Sequence, residues 1–317
     1  MKPQVIVVTG VAGFIGSTVA QRFLAQGTKV IGIDNFSENY SSLFKRKNLR
    51  DITSSHFYFY KEDIRNNNAI TTIFKKHHPQ TVIHLAGLPG VRASLQNPKL
   101  YYDVNVLGTK SVFKAAERTG TQSLIFSSSS SVYGNQKTIP FSEEMSLSPL
   151  SPYAKTKKQA EVLLRNYHQK TKLPVLILRL FSVYGPRGRP DMAPYLFTQA
   201  ALKQKKIVQF GEGTSARDYT YVDDITTAIL KASTKYFTCD TINIGNSQPI
   251  SLLELIRTVE KFTHHKILVT QKPLRPEEPY ITFANIKKAV TLLKWKPATP
   301  FKIGMSKFVN WFVKNRN

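Results

Sequence analysis

Short apolar runs at 4–9, 29–33, 57–60, 81–85, 123–126 and 174–178 alternate with longer stretches in which apolar residues recur at helical spacing. Runs this short and this rich in Val and Ile read as strands buried on both faces, and helical stretches between them call for parallel crossovers. The alternation predicts an α/β fold, a doubly wound parallel sheet of Rossmann type over residues 1–180. Helices are expected at 14–26, 66–77, 98–119 and 152–171. The last two carry apolar stripes. Those stripes either cover the sheet or pair across a two-fold axis as a four-helix homodimer interface. After Phe181 the pattern breaks into Pro- and Gly-rich loops with shorter helices near 193–204, 223–233, 251–262, 284–293 and 302–315. This reads as a smaller C-terminal substrate domain over 181–317, interleaved with the first because 219–245 returns to it.

Length and composition narrow the class. A chain of 317 residues with 41% apolar content has room for about two domains and an ample core. The lone Cys239 leaves no internal disulfide and no cysteine-based metal site, which fits a reducing cytosol. The N-terminal apolar run is too short for a signal peptide, and no stretch approaches the roughly 20 apolar residues of a membrane span. A cytoplasmic protein without stable membrane insertion is expected. The net charge of +25, from 45 basic and 20 acidic residues, raises a nucleic-acid class. Its distribution points elsewhere, because the basic residues are spread along the chain with only short clusters at 45–47 and 203–206. No nucleic-acid partner is expected. A positive potential would still gather an anionic substrate.

The first strand runs into Thr9-Gly10-Val11-Ala12-Gly13-Phe14-Ile15-Gly16 and then a helix. Glycines at this spacing permit a tight turn and close approach of backbone to a pyrophosphate at the helix N-terminus. Asp34 closes the second strand, 24 residues after Gly10, where a carboxylate can bind an adenosine ribose diol and repel a 2′-phosphate. The predicted cofactor is NAD. Tyr153 and Lys157 are four residues apart on one predicted helix face, after the serine run 127–131. An ammonium beside a phenol favours the phenolate, so Lys157 is expected to lower the Tyr153 pKa and make it a base near neutral pH. Such a spacing by itself is more often a solvated helix face; the nucleotide turn upstream gives it weight.

Together these residues resemble the extended short-chain dehydrogenase/reductase family, in particular its nucleotide-sugar epimerases and dehydratases. The resemblance spans nearly the whole chain. It rests on Gly10, Gly13 and Gly16, on Asp63-Ile64-Arg65, His84-Leu85-Ala86-Gly87, Asn105, Ser127–Ser131 before Val-Tyr-Gly134, Tyr153 with Lys157, and Arg217-Asp-Tyr-Thr-Tyr-Val-Asp-Asp224. It implies a cofactor site made by the glycine turn with Phe14 and Ile15, by Asp34 and Asn35, by Asp63 and Ile64 against the adenine, and by Leu85, Ala86, Gly87 and Lys157. It also implies a catalytic set of Tyr153, Lys157 and Ser129 supported by Asn105, and diphosphate binding by Arg217 and Arg275.

Within the family, 4,6-dehydratases carry an Asp-Glu pair after the catalytic hydroxyl residue, and uronate decarboxylases carry a Glu just before Val-Tyr-Gly. Here those positions are Ser130 and Ser131. The remaining machinery oxidises and re-reduces C4, which is 4-epimerisation. Three stretches, Asp34-Asn35-Phe-Ser-Glu-Asn-Tyr40, Gly90-Val-Arg92-Ala-Ser94 and Ser182-Val-Tyr-Gly-Pro-Arg-Gly-Arg189-Pro-Asp-Met-Ala193, look like those of UDP-glucuronate 4-epimerases. The resemblance implies that Arg189, with Ser130, Ser131 and Ser182, holds the sugar carboxylate, with Arg92 also at the substrate. A neutral or N-acetylated UDP-hexose is the alternative substrate. No metal is expected.

Overall fold

The computed structural model describes residues 4–273 and 279–316. From the N-terminus, β1 (Val5–Thr9), α1 (Phe14–Leu24), β2 (Lys29–Asp34), α2 (Ser42–Arg50), β3 (Phe57–Lys61), α3 (Asn67–His77) and β4 (Thr81–His84) follow one another. Next come α4 (Val91–Gln96), α5 (Pro98–Tyr102), a π-helical turn (Asp103–Gly108), α6 (Thr109–Arg118), β5 (Ser123–Ser129), α7 (Pro152–Thr171) and β6 (Val175–Leu180). The remainder comprises β7 (Ser182–Tyr184), α8 (Ala193–Leu202), β8 (Ile207–Phe210), β9 (Ala216–Tyr221), α9 (Val222–Ser233), β10 (Cys239–Ile244), β11 (Pro249–Ser251), α10 (Leu252–Thr263), β12 (Val269–Lys272) and α11 (Phe301–Arg316).

Seven strands form one sheet in the order β10-β6-β5-β4-β1-β2-β3, and every pair in it is parallel. This is the doubly wound Rossmann arrangement. Its strand order reverses between β1 and β4, which opens a crevice at their carboxyl ends. The near-continuous apolar strands follow from burial on both faces. One face packs Val8, Ile83, Ile125 and Leu178 against Val19, Phe23 and Ile229 of α1 and α9. The other packs Val7, Val82, Phe126 and Ile177 against Phe74, Phe113 and Leu164 of α3, α6 and α7.

Beyond β6 the chain builds two small sheets, β11-β9-β7 and β12-β8. They share an aromatic core of Tyr184, Phe197, Tyr219, Phe301, Phe308 and Phe312 with α8, α10 and α11. The stretch that rejoins the large sheet consists of α9 and β10, whereas β9 stays in the smaller sheet.

Local structure departs from the sequence expectation at three places, each for a polar reason. The helix expected over 98–119 runs continuously over 98–118, but its middle, Asp103–Gly108, is wound as a π turn. The extra residue of a π turn brings Asn105 inward onto the backbone of Leu88. α2 was not foreseen because its inward residues are Lys45 and Asn48, which leave no apolar stripe to read. Of the helix expected over 284–293 only a π turn, Ala289–Leu293, is present among the named elements. The chain before it is extended, with Ile281 bridging Ala216 and Ala284 bridging Phe141. Asp218 accepts hydrogen bonds there from the backbone N–H groups of Ala284, Asn246 and Ser247.

A buried ion pair joins the layers. Arg179 of β6 donates through Nε (3.0 Å) and Nη2 (2.8 Å) to the two oxygens of Glu161 on α7, and the side chains are 4% and 2% exposed. Glu161 also accepts from the Ser128 hydroxyl at 2.5 Å, and Arg179 donates to the Tyr133 hydroxyl at 2.9 Å. The Tyr133 hydroxyl in turn donates to Asn243 Oδ1 of β10 at 2.7 Å. Replacing Glu161 by Ala strands the Arg179 charge in the interior. A loss of about 3–5 kcal/mol is expected, read as a lowered urea midpoint at unchanged slope.

Candidate active site

The glycine turn shapes the floor of the crevice. Gly10 adopts φ +70°, and a Cβ there would lie 2.8 Å from the Ala86 nitrogen; one on Gly16 would lie 2.1 Å from the Gly10 carbonyl oxygen. Only glycine fits both positions. Gly13 caps α1 without a side-chain hydrogen bond, so Phe14, Ile15 and Gly16 open the helix with N–H groups facing the crevice mouth. That exposed, partly positive helix end suits a phosphate. Asp34, at the end of β2, accepts from Ala12 N at 3.1 Å and from Phe36 N at 2.8 Å. A carboxylate has about four acceptor sites, so a ribose diol can still be bound. Burial pushes the Asp34 pKa up, while its two backbone donors and Lys45 oppose the rise. Next to it, Asn35 donates to Asp63 at 2.8 Å, and the pair Asp63–Arg65 (2.8 Å) holds the Asp63 carboxyl below its usual range. Ile64 is buried beside Gly108. The cradle, the uncapped helix end and the Asp34 carboxylate fit a dinucleotide.

A hydrogen-bonded chain crosses the switch point. Thr9 Oγ1 accepts from Ala86 N at 3.1 Å, and it lies 2.7 Å from Nδ1 of His84. Nε2 of His84 lies 3.0 Å from Thr109 Oγ1, which donates to the Asn105 carbonyl at 2.7 Å. Thr109 spends its proton on Asn105, so His84 carries its own on Nε2 and accepts from Thr9 at Nδ1. Burial first, then the Lys157 charge, pushes the His84 pKa down to about 3. The Asn105 side chain accepts from Leu88 N at 2.7 Å and donates to Leu88 O and to Thr156 Oγ1, both at 3.1 Å. It therefore ties the 85–90 loop, with Leu85, Ala86 and Gly87, to α7.

α7 starts cleanly, with Ser151 accepting from Ala154 N at 3.2 Å and Pro152 in the first turn. It brings Tyr153 and Lys157 to the carboxyl end of β5. Lys157 donates to the Ser127 carbonyl at 2.8 Å and lies 4.9 Å from the Phe126 ring, and burial lowers its pKa to about 8. Ser131 donates to Ser129 Oγ through both N (3.2 Å) and Oγ (3.0 Å). The Ser129 proton is thereby directed to the Tyr153 oxygen, with which it is hydrogen-bonded. Burial raises the Tyr153 pKa, and the groups that lower it are Ser129 and Arg189. Lys157, one turn further along α7 from Tyr153, is anchored on the Ser127 carbonyl. Tyr101, whose hydroxyl is fixed on the Pro89 carbonyl at 2.7 Å, meets the Tyr153 ring edge-on at 6.4 Å.

Arg189 enters from the loop after β7. It donates through Nε (2.9 Å) and Nη2 (2.6 Å) to the two oxygens of Asp191, close enough to Tyr153 for its charge to act on the phenol. Ser130 is buried in the 3₁₀ turn after Ser129, and Ser182 opens β7 just past the end of β6. Arg92 on α4 lies 5.8 Å from the Phe210 ring and within electrostatic reach of Asp191. Arg217, on β9, donates to the carbonyls of Ala216 and Tyr280 at 3.0 and 3.2 Å. Arg275 lies outside the described residues.

Some residues at the site escaped the sequence reading. Asp191 stands two residues from Arg189 in a loop, where no periodicity marks a pair. Lys45, buried against Ser37 and Asn39, looked like one of a solvated basic cluster. Glu161 and Arg179 did leave a signal: a carboxylate one turn after Lys157 and a lone charge inside an apolar strand.

Residues 7–308 match the family described as GDP-mannose 4,6 dehydratase. The chain is 40% identical over 311 residues to the UDP-glucuronate 4-epimerase of Thermodesulfobacterium geofontis, covering 97% of this chain and 96% of that one. The structure superposes on UDP-glucuronic acid 4-epimerase from Bacillus cereus in complex with UDP-glucuronic acid and NAD at TM-score 0.94 and 35% identity, over 98% of this chain and 99% of that one. It also superposes on UDP-glucose 4-epimerase from Thermotoga maritima with UDP-glucose at TM-score 0.92 and 30% identity, over 99% and 100% of the two chains.

The His84 environment generates a pH prediction. Its folded pKa, about 3, lies below its unfolded value of 6.5, so between them the unfolded chain binds a proton that the folded one refuses. Stability is thereby lost as pH falls through that window, by roughly 3–5 kcal/mol at most. Replacing His84 by Gln should flatten the unfolding free energy between pH 6.5 and 3 relative to the parent; parallel curves in urea titrations would contradict this.

Proposed function

This chain belongs to the GDP-mannose 4,6-dehydratase family of nucleotide-sugar enzymes, and from that premise we propose that its site interconverts UDP-glucuronate and UDP-galacturonate. The chain is an NAD-dependent UDP-sugar 4-epimerase. One observation carries the choice of sugar. A guanidinium, Arg189, stands where its charge acts on the Tyr153 phenol, while the positions that would carry an acid for elimination or decarboxylation are Ser130 and Ser131.

In this reading Tyr153 takes the proton from the C4 hydroxyl. The Ser129 hydroxyl donates to the phenol oxygen and Arg189 adds positive charge, so both favour the phenolate form that accepts this proton. The chemistry that NAD would supply when bound is acceptance of the C4 hydride and its return to the opposite face. Between those events the sugar turns over, pivoting on a diphosphate that Arg217 and Arg275 are suited to hold. Tyr153 then returns the proton. In this reading the nicotinamide ribose falls to Lys157, which donates to the Ser127 carbonyl, and the rest of the cofactor to Gly10, Gly13, Gly16, Asp34 and Asp63.

Oxidation at C4 creates a β-keto acid, which loses CO₂ readily. A guanidinium fork on the carboxylate, with the hydroxyls of Ser130, Ser131 and Ser182 around it, holds that group out of alignment with the ketone. A neutral UDP-hexose would give this fork nothing to hold. UDP-sugars and NAD are cytosolic metabolites, which agrees with a cytoplasmic location; no helix among the described residues is long and apolar enough to cross a membrane.

The same reading includes a homodimer. Tyr102 and Val162 are 42% and 49% exposed along a groove between the π turn and α7, lined also by Val106, Leu163 and Tyr167. A second copy about a two-fold axis would bury this apolar face as a four-helix interface. Val162→Asp should convert a dimer to a monomer in sedimentation velocity; a monomeric parent would exclude the pairing.

Incubating the protein with UDP-glucuronate, without added reductant, should yield UDP-galacturonate by proton NMR. Tyr153→Phe should cut this turnover by about 10²- to 10⁴-fold while leaving NAD binding intact. Conversion of UDP-glucose but not UDP-glucuronate would reject the sugar and retain the Tyr153 chemistry; near-parental activity in the Phe variant would reject that chemistry.

A further inference from the structure

The carboxylate that the proposed substrate would bring is already represented in the site by a side chain. Asp191 takes the Nε and Nη2 edge of Arg189 with both its oxygens, at 2.9 and 2.6 Å. That edge is the one best matched to a carboxylate, because its two N–H bonds are parallel. While Asp191 holds it, a uronate cannot. The pair also differs from the structural one at Glu161 and Arg179. There the side chains are 4% and 2% exposed, whereas Arg189 is 20% and Asp191 49% exposed. Water, and therefore a ligand, reaches this pair from the Asp191 side.

The loop that carries both residues is held from outside the pair. Gly188 N donates to Gly185 O at 3.0 Å and Met192 N to Arg189 O at 3.2 Å. Arg187, at φ +67°, donates to Gln21 Oε1 at 2.7 Å and to Asp51 Oδ2 at 3.1 Å, which fixes the loop to α1 and the end of α2. The backbone can therefore stay in place while the Asp191 side chain turns. Arg92 adds its positive charge to the surroundings of the Asp191 carboxylate.

We propose that Asp191 is a resident stand-in for the substrate carboxylate: a uronate displaces it from Arg189. Asp191 thereby sets how tightly a uronate is held relative to a neutral sugar, and it keeps Arg189 neutralised beside Tyr153 until a uronate arrives. Asp191 acts through Arg189 and is a specificity-determining residue. The inference rests on the uronate reading of the site.

The test uses full-length, NAD-loaded protein carrying Tyr153→Phe, which prevents turnover during calorimetry, with and without Asp191→Asn. Removing the competing charge should tighten UDP-glucuronate by roughly three- to tenfold and move UDP-glucose by less than about twofold. Asp191→Glu, which keeps the charge, should retain the parental ratio of the two affinities. Unchanged or weakened UDP-glucuronate binding in the Asn variant overturns the exchange, as does an equal shift for both sugars or a Glu variant that behaves like Asn. A parent that binds UDP-glucose better than UDP-glucuronate defeats the sugar assignment itself. A parent that prefers UDP-glucuronate but is indifferent to Asp191→Asn defeats the exchange alone.

Discussion

The architecture hangs on the bidentate contact between Arg179 and Glu161. Two full charges sit almost without water between the sheet and α7, a placement tolerated only when every remaining donor and acceptor is used. They are used: Ser128 binds Glu161, while Tyr133 and the Glu143 carbonyl bind Arg179. Each partner belongs to a different part of the fold. Ser128 precedes Ser129 on β5, Glu161 stands one helical turn after Lys157, and Tyr133 leads through Asn243 to β10. Apolar packing alone would let α7 slide along the sheet by fractions of an ångström at little cost. A directional pair does not, and it sets the height at which Tyr153 meets Ser129.

A second polar chain performs the same office for the nucleotide half. Thr9, His84, Thr109 and Asn105 link the ends of β1 and β4 to the π turn and then to Thr156 on α7. A histidine whose pKa is pushed to about 3 is neutral at physiological pH. It works as a directional donor and acceptor without adding charge near Lys157. The cofactor cradle and the proton-transfer pair are thus referenced to one another through neutral hydrogen bonds, and a charged link at that depth would have disturbed both.

What the sequence made legible follows from which forces leave a periodic trace. Strands buried on both faces write themselves as apolar runs, and the strand expected at 81–85 and the helix expected at 152–171 agree with the structure to within a residue. The glycine turn was legible because sterics at Gly10 and Gly16 admit no other residue. Elements held by polar contacts were not. α2 buries Lys45 and Asn48, the π turn exists to place Asn105, and the extended strap near Ala284 is held by Asp218. The residues of the site were named from their types and motifs, but the pairing of Arg189 with Asp191 and the turning of Lys157 onto Ser127 depend on side-chain directions that no spacing encodes.

Those directions also sort the positive charges of the crevice. Lys45 and Lys157 are buried on neutral oxygens: Ser37 and Asn39 for the first, the Ser127 carbonyl for the second. Neither is neutralised by a direct carboxylate contact. An ammonium is a point charge that carbonyl oxygens satisfy, whereas a guanidinium is a fork that selects a carboxylate. Arg179 and Arg189 accordingly carry Glu161 and Asp191. These two lysines thus keep their charge as a fixed field, suited to polyanionic ligands, while Arg179 and Arg189 are held in matched pairs. Of the two pairs, the one closed to water serves as structure. The one open to water, beside the phenol, is where a third carboxylate can compete.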